Sequence, residues 1–108
     1  MMDVARVGVV TIDVFLRPYP PHLAAGQNVH LEDAQLHPGG TALNTAVDLA
    51  RLGLRAALLG CLAQDHAGDL LMGILQREGV DLTDVKRCAD ASTSTWYCLQ
   101  PDPEWRDV

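Results

Sequence analysis

The earliest residue in the chain that could carry chemistry is Asp13, which follows the apolar run VARVGVVTI at 4–12. That run is nearly continuous and β-branched, so it predicts a strand buried on both faces. In open α/β sheets, ligands gather beyond the carboxyl ends of such strands. A carboxylate there can accept hydrogen bonds from two vicinal hydroxyls of a polyol, as sugar binding demands. The alternative is an aspartate that caps its own turn.

Further candidates flank the start of a predicted helix. Gly39 and Gly40 would let the backbone pass close to a ligand and would aim free N–H groups at it. A Gly-Gly pair by itself is more often a simple break in the chain. Asn44 lies one turn inside the helix, where its amide could bond a ligand hydroxyl if it faces the strand ends. Its alternative is an exposed or locally bonded side chain.

Other familiar sites are not supported by the sequence. A Walker loop ends in lysine, and no lysine precedes Lys86. A dinucleotide fingerprint needs G-x-G-x-x-G after the first strand, where Gly8 stands alone. Four histidines lie in or beside predicted loops without the spacing of metal ligands, namely His22, His30, His37 and His66. We therefore expect solvated loop histidines and no metal site.

Composition indicates the class of protein in which these residues act. The chain has 108 residues, 8 basic and 14 acidic, for a net charge of −6. Nucleic-acid backbones and anionic membrane surfaces need a cationic face, so neither is expected as a partner. No stretch approaches the ~18 apolar residues of a membrane-spanning helix, and the first residues lack a signal-peptide pattern. We expect one cytoplasmic domain.

The three cysteines, Cys61, Cys88 and Cys98, form no C-x-x-C motif and cannot all pair with one another. Such an odd, widely spaced set predicts reduced thiols rather than a disulfide framework. Because Cys61 lies in an apolar run, we expect it to be a packed core thiol.

The elements that must position these residues follow from the apolar pattern. Residues 16–38 hold most of the six prolines, which excludes a central strand there, although 28–36 could form an exposed edge strand. Thr41 or Gly40 would cap the first helix and Gly53 would end it. Beyond it we predict a strand at 56–62, a helix at 67–76, a connection at 80–86 and a strand at 93–99. This order is a βαβαβ unit, hence an α/β domain with a mainly parallel sheet.

Several segments together resemble the PfkB or ribokinase family of carbohydrate kinases. The most specific is GGTALNTA at 39–46, followed at the right distance by Gly53. The segment GVVTID at 8–13 looks like the family's first strand with its substrate-binding aspartate. The remaining similar segments are LGCLAQDHAG at 59–68, EGVD at 78–81 and the strand at 93–99.

The chain also departs from the family pattern. Ala63 stands where glycine is usual, and Gln64 where aspartate is common. Thr11 and Thr41 occupy positions at which ribokinases proper favour asparagine and lysine, so ribose is not indicated as the substrate. The family's second signature, a glycine-rich segment ending in the aspartate that deprotonates the sugar hydroxyl, is not found, nor are its nucleotide-binding elements.

The resemblance implies a ribokinase-like fold in which 1–108 is the N-terminal part of a kinase domain and 16–38 is a lid segment. The whole enzyme would transfer the γ-phosphoryl group of ATP, with Mg²⁺, to a hydroxyl of a sugar. Asp13 and Asn44 would hold substrate hydroxyls, and Gly39 and Gly40 would line the pocket where lid meets core. A homodimer through the lid is also implied.

Two alternatives to an active kinase remain open from the sequence. One is a small α/β module that binds a sugar without catalysis, and the other is an inactive truncated fragment. Because the catalytic base is expected downstream, the 108-residue chain alone is expected to be inactive.

Overall fold

A computed structural model describes residues 2–19, 22 and 24–101, and within them the chain forms six strands and two helices. Residues 20, 21 and 23 of the predicted lid segment lie outside this description. The elements, in chain order, are β1 (Val4–Val7), β2 (Thr11–Tyr19), β3 (Asp33–Gly39), α1 (Thr41–Arg51), β4 (Ala56–Ala63), α2 (His66–Arg77), β5 (Val85–Cys88) and β6 (Thr95–Pro101).

One sheet, which we call the core sheet, has the strand order β1-β4-β5, with both neighbouring pairs parallel. The helices α1 and α2 connect its strands, so the predicted βαβαβ unit and α/β fold are confirmed. Helix α1 begins after Gly40 and is followed by Gly53 at φ 92°, a conformation that favours glycine. The N-cap residue of helix α2 is Asp65, whose carboxylate accepts a hydrogen bond from the Gly68 amide at 2.7 Å.

The hydrophobic core lies between the core sheet and the two helices. Leu58 and Leu62 of β4 point to the same face of the strand and are both buried. The helices contribute residues at spacings of three and four, and none of the residues in this core is more than 9% exposed. Its members include Leu43, Ala46 and Val47 of α1, and Leu71 and Leu75 of α2.

A second sheet, which we call the lid sheet, has the strand order β3-β2-β6. Strand β2 is central, antiparallel to β3 and parallel to β6. Burial in this sheet is confined to one end: Thr11 and Ile12 are each 2% exposed, and Gly39, paired with Thr11, is also buried. The buried end of the lid sheet therefore contacts the core, and the rest of the sheet extends away from it.

The predicted strand at 4–12 is divided between the two sheets, because the chain leaves the core sheet after Val7 and enters the lid sheet at Thr11. The exclusion of a central strand from 16–38 is also wrong, since β2 continues to Tyr19 with Pro18 inside it. Regular pairing with β3 ends at Arg17, and the register with β6 shifts between Leu16 and Tyr19, so Pro18 lies where the ladder needs no donor.

Three other strand assignments differ from the prediction. The connection predicted at 80–86 contains the start of β5, which is the third strand of the core sheet. The strand predicted at 93–99 is observed as β6 but belongs to the lid sheet. The edge strand predicted at 28–36 begins only at Asp33. Local patterns identified the strands at 28–36 and 93–99 but not β5, and the sheet that each strand joins depends on distant partners.

The expectation of reduced thiols is wrong for two of the three cysteines. Cys61 on β4 and Cys88 on β5 form a disulfide with Cα atoms 6.2 Å apart, whereas Cys98 is not disulfide-bonded. Cys61 is also exposed rather than packed in the core, because Leu58 and Leu62 occupy the covered face of β4. A cysteine inside an apolar run can thus lie on the open face of a strand.

Of the histidines expected in or beside loops, His37 lies within β3, whereas His66 is the first residue of α2 and follows a loop. No helix in the described part of the chain is long and apolar enough to cross a membrane.

Candidate functional site

Asp13 lies inside β2 of the lid sheet rather than at the end of a core strand. Residues 13, 15 and 17 point to the same face of the sheet, because side chains alternate along a strand. On β3 their direct partners are His37, Gln35 and Asp33. This face forms one wall of an open cleft of about 420 Å³, lined by Asp13, Phe15, Arg17, Gln35, His37, Pro38 and Gln100.

A second cleft, of about 390 Å³, lies where the lid sheet meets the start of α1. Asp13 lines this cleft as well, and of the residues that the structure describes it alone is shared by the two clefts. The remaining lining is mostly apolar and includes Trp96, which is 63% exposed. The other lining residues are Val9, Thr11, Gly40, Thr41 and Cys98. One ionisable carboxylate therefore stands at the boundary between a polar cleft and an apolar one.

Gly39 and Gly40 bring the backbone of β3 and α1 close to the strand that carries Asp13. A Cβ atom at Gly39 would overlap the Asp13 carboxylate and lie 2.7 Å from Oγ1 of Thr11. A Cβ at Gly40 would overlap the Val9 carbonyl, and Gly40 has φ 94°, which other residues rarely adopt. The structure thus places both predicted glycines at the site, each with a steric reason for having no side chain.

Asn44 is exposed on α1 and lines a different, smaller cavity of about 230 Å³. His37 and Pro38 line both this cavity and the larger cleft of Asp13, so the two spaces adjoin across β3. Asp13, Gly39 and Gly40 are therefore brought together, whereas Asn44 approaches from the far side of Pro38.

A row of hydrogen-bonded polar side chains crosses the lid face beyond Asp13, and sequence reasoning missed it. Arg17 Nε donates to Asp33 Oδ2 at 2.9 Å, and Gln35 Nε2 donates to the same oxygen at 3.0 Å. His37 Nε2 lies 3.0 Å from Gln35 Oε1, and its ring contacts Phe15 edge-on. The period-two spacing of residues 13, 15 and 17 was the available signal, but the prolines nearby argued against a strand.

The junction between core and lid is held by Asp65, the N-cap residue of α2. Besides Gly68, its carboxylate accepts hydrogen bonds from the backbone amide and hydroxyl of Thr93, just before β6. Bonds from the Thr93 hydroxyl, the Thr93 amide and the Gly68 amide lower the pKa of Asp65. All three hydrogen bonds favour the ionised carboxylate, so we assign Asp65 a structural role.

Chemically, the two clefts offer a carboxylate acceptor, amide groups of Gln35 and Gln100, and aromatic surface from Phe15 and Trp96. Hydroxyl groups can donate to the carboxylate and bond the amides, while C–H faces of a sugar ring can lie on aromatic rings. Among the described residues no group of three or more His, Cys, Asp or Glu side chains is arranged to hold a metal ion. The arrangement suits a neutral polyol.

Known proteins with similar sequences and folds are carbohydrate kinases. The aminoimidazole riboside kinase of Salmonella typhimurium is 40% identical over 57 residues, which are 53% of this chain and 18% of that protein. A PfkB protein from Polaromonas sp. JS666 superposes with a TM-score of 0.76 at 28% identity, covering 90% of this chain and 31% of that one.

A second solved structure is the aminoimidazole riboside kinase of Salmonella enterica, complexed with aminoimidazole riboside and an ATP analogue. It has a TM-score of 0.69 at 29% identity, over 87% of this chain and 28% of that one. The chain thus spans less than a third of the length of these relatives.

The family match itself, to the pfkB family carbohydrate kinases, covers residues 1–104. These similarities fit the ribokinase-like arrangement of core sheet and lid sheet described above. The chain belongs to the pfkB family of carbohydrate kinases.

Proposed function

We propose that this chain forms the sugar-binding part of an ATP-dependent carbohydrate kinase, which transfers the γ-phosphoryl group of ATP to a sugar hydroxyl. The observation that carries the proposal is the place of Asp13, shared by the two clefts at the junction of lid and core. A carboxylate there can accept two hydroxyl hydrogen bonds at once. Phosphoryl transfer depends chiefly on positioning, so fixing the sugar is a direct contribution to rate.

Each proposed contact has a distinct role. Asp13 would accept from adjacent hydroxyls of the sugar, Gly39 would leave room for the Asp13 carboxylate, and Gly40 would line the cleft beside the sugar. Asn44 would bond a further hydroxyl from α1, across Pro38. Since Asn44 lies in the adjoining cavity and forms neutral hydrogen bonds, its contribution should be the smaller.

The same two clefts do not fit ATP and Mg²⁺ as they fit a sugar. A triphosphate needs cations or free amides, and among the described residues that line the two clefts the one guanidinium, that of Arg17, is already paired with Asp33. The residues described here therefore suit the sugar and not the nucleotide. We expect the ATP and Mg²⁺ sites of the whole enzyme, with its catalytic base, to lie outside the described residues.

A second candidate is a module that binds sugar without catalysis. It is favoured by the described residues themselves, which offer an acceptor for sugar hydroxyls while Arg17 of the first cleft is paired with Asp33. Under either proposal the isolated 108-residue chain should release no ADP in a sugar-dependent assay. Sugar-dependent ADP release proportional to the amount of purified chain would contradict that expectation.

The lid sheet also supports the proposal of a homodimer. The face opposite Asp13 exposes Leu36, Tyr97 and Leu99, at 59%, 66% and 46%. Contiguous exposed apolar side chains of this kind mark interaction surfaces. Sedimentation equilibrium of the full-length protein tests it, and a strictly monomeric species at high concentration would contradict it.

The main proposal is tested by enzyme kinetics on the full-length protein that contains this chain. D-fructose, D-ribose and other sugars are first assayed with ATP to find a substrate. Asp13→Ala should then lower kcat/KM for the sugar by roughly ten- to a hundredfold, because bonds to a charged group contribute about 1.5–3 kcal/mol. Asn44→Ala should lower it less, and the KM for ATP should change little in both variants.

The matched control is Asp84→Asn, which changes an exposed aspartate in the segment before β5, away from these clefts. It should leave the kinetics unchanged. Sugar kinetics unaltered in Asp13→Ala would refute the assignment of the site.

A further inference from the structure

Thr11 is the one polar side chain that is buried among the described residues, with 2% of its surface exposed. Its Oγ1 donates a hydrogen bond to Oδ1 of Asp13 at 2.9 Å. Valine has nearly the same shape as threonine and would fill this place equally well. A buried hydroxyl, unlike a methyl group, requires a hydrogen-bond partner. Packing alone therefore does not explain the hydroxyl, whereas its bond to Asp13 does.

Gly39 acts on the same carboxylate from the neighbouring strand. It is paired with Thr11 across the β2–β3 ladder, two residues from the rung of Asp13. A Cβ at Gly39 would overlap Oδ2 of Asp13, so the carboxylate lies directly over the bare backbone of this glycine. Because the obstructed atoms belong to side chains rather than to backbone, any side chain at 39 would displace the carboxylate and leave the strand in place.

We propose that Thr11 and Gly39 are positioning residues that hold the carboxylate of Asp13 in one orientation at the boundary of the two clefts. The proposal rests on the proposed function, in which Asp13 binds the sugar. A carboxylate has about four acceptor sites, so the single bond from Thr11 fixes Asp13 and leaves the other sites for hydroxyls. A side chain ordered before binding loses less conformational entropy when the sugar arrives.

The experiment compares Thr11→Val, Thr11→Ser and Gly39→Ala in the full-length protein, with sugar and ATP varied separately. Thr11→Val should raise the KM for the sugar about three- to tenfold, the equivalent of one modest hydrogen bond. Thr11→Ser keeps the hydroxyl and should restore the KM to near the original value. Gly39→Ala should raise it at least as much as Thr11→Val. The KM for ATP should stay unchanged throughout.

Thr83→Val is the matched control. Thr83 Oγ1 donates to Asp81 Oδ1 at 2.6 Å, a pair two residues apart like Thr11 and Asp13, but in the segment between α2 and β5. Its loss removes the same kind of bond outside the clefts and should leave the sugar KM unchanged. A rise equal to that of Thr11→Val would show a general loss of stability and would overturn the proposal.

A structural measurement keeps this proposal separate from the proposed function. The χ1 angle of Asp13, from three-bond couplings in solution, should be fixed in the original protein and in Thr11→Ser, and averaged or shifted in Thr11→Val and Gly39→Ala. If Asp13→Ala leaves sugar kinetics unaltered, the proposed function fails whatever χ1 shows. If Asp13→Ala acts as expected but Thr11→Val changes neither χ1 nor the sugar KM, the positioning role is refuted.

Discussion

The core sheet and the lid sheet are each stabilised by a different kind of interaction. The core sheet is covered by α1 and α2, and its contacts are made by leucines that are almost wholly inaccessible, such as Leu71 and Leu75 at 0% exposure. The lid sheet has backbone ladders and a polar row on one face, and it exposes Leu36, Tyr97 and Leu99 on the other. Apolar burial thus fixes the core, and hydrogen bonding fixes the lid.

The difference explains where the candidate site lies. Buried residues of the lid, Thr11, Ile12 and Gly39, all lie at its edge with the core, and Asp13 comes directly after them. Ile12, the residue before Asp13, is therefore packed in the core, whereas Asp13 itself lines the open cleft of the lid sheet. A sheet that is only partly buried can move at low free-energy cost, whereas its anchored edge keeps the binding group in place.

The largest effect should come from truncating a core leucine. Leu71→Ala removes a fully buried side chain and should lower the free energy of unfolding by about 2–5 kcal/mol. Leu36→Ala makes the same change at a lid position that is 59% exposed and should cost less than about 0.5 kcal/mol. Urea denaturation of both variants measures the contrast, and similar losses would contradict the division between core and lid.

A smaller effect is expected from reducing the disulfide between Cys61 and Cys88, which joins two strands of the core sheet. The cysteines are 27 residues apart, and the chain-entropy argument gives about 3–4 kcal/mol for a loop of that length. Reductant should therefore lower the Tm of the protein. Cys61→Ser should abolish this response, whereas Cys98→Ser, on the lid, should preserve it. A Tm indifferent to reductant in the original protein would contradict the prediction.

The sequence predicted the core better than the lid for a physical reason. Helices α1 and α2 carry an apolar period with glycine or capping residues at their ends, and β4 is a short continuous apolar run, so local pattern and final structure agree. Strand β5 has four residues and carries no such period, and it was missed. Strand β2 contains Pro18 and depends on pairing with β6, more than eighty positions away, which no local pattern records.

The residues of the candidate site also differ in how well the sequence predicted them. Asp13, Gly39 and Gly40 belong to motifs with characteristic spacing, and the structure brings them together. Thr11 appeared in the sequence only as a departure from the family pattern, and its role became visible from burial and one hydrogen bond. Asn44 was expected beside Asp13, but the rotation of α1 places it in the adjoining cavity.

The smallest effect is expected at Asp65, which ties α2 in the core to the segment that leads into β6 of the lid. Its pKa is lowered in the fold by bonds from the Thr93 hydroxyl, the Thr93 amide and the Gly68 amide. Because the folded pKa lies below the unfolded value of about 3.9, the ionised form stabilises the fold above about pH 4. That contribution is lost as the pH falls through the folded pKa.

Asp65→Asn removes the charge and keeps an N-cap oxygen, so it should lower the Tm slightly at pH 7 and weaken the fall of Tm with acid. Asp3→Asn is the control, since the Arg55 side chain and amide also lower the pKa of Asp3, but on the core alone. Both variants should lose part of the pH dependence. Only Asp65→Asn should also speed amide hydrogen exchange in β6, because it alone loosens the link between the sheets. Equal exchange in β6 for the two variants would mean that Asp65 stabilises α2 without holding the lid.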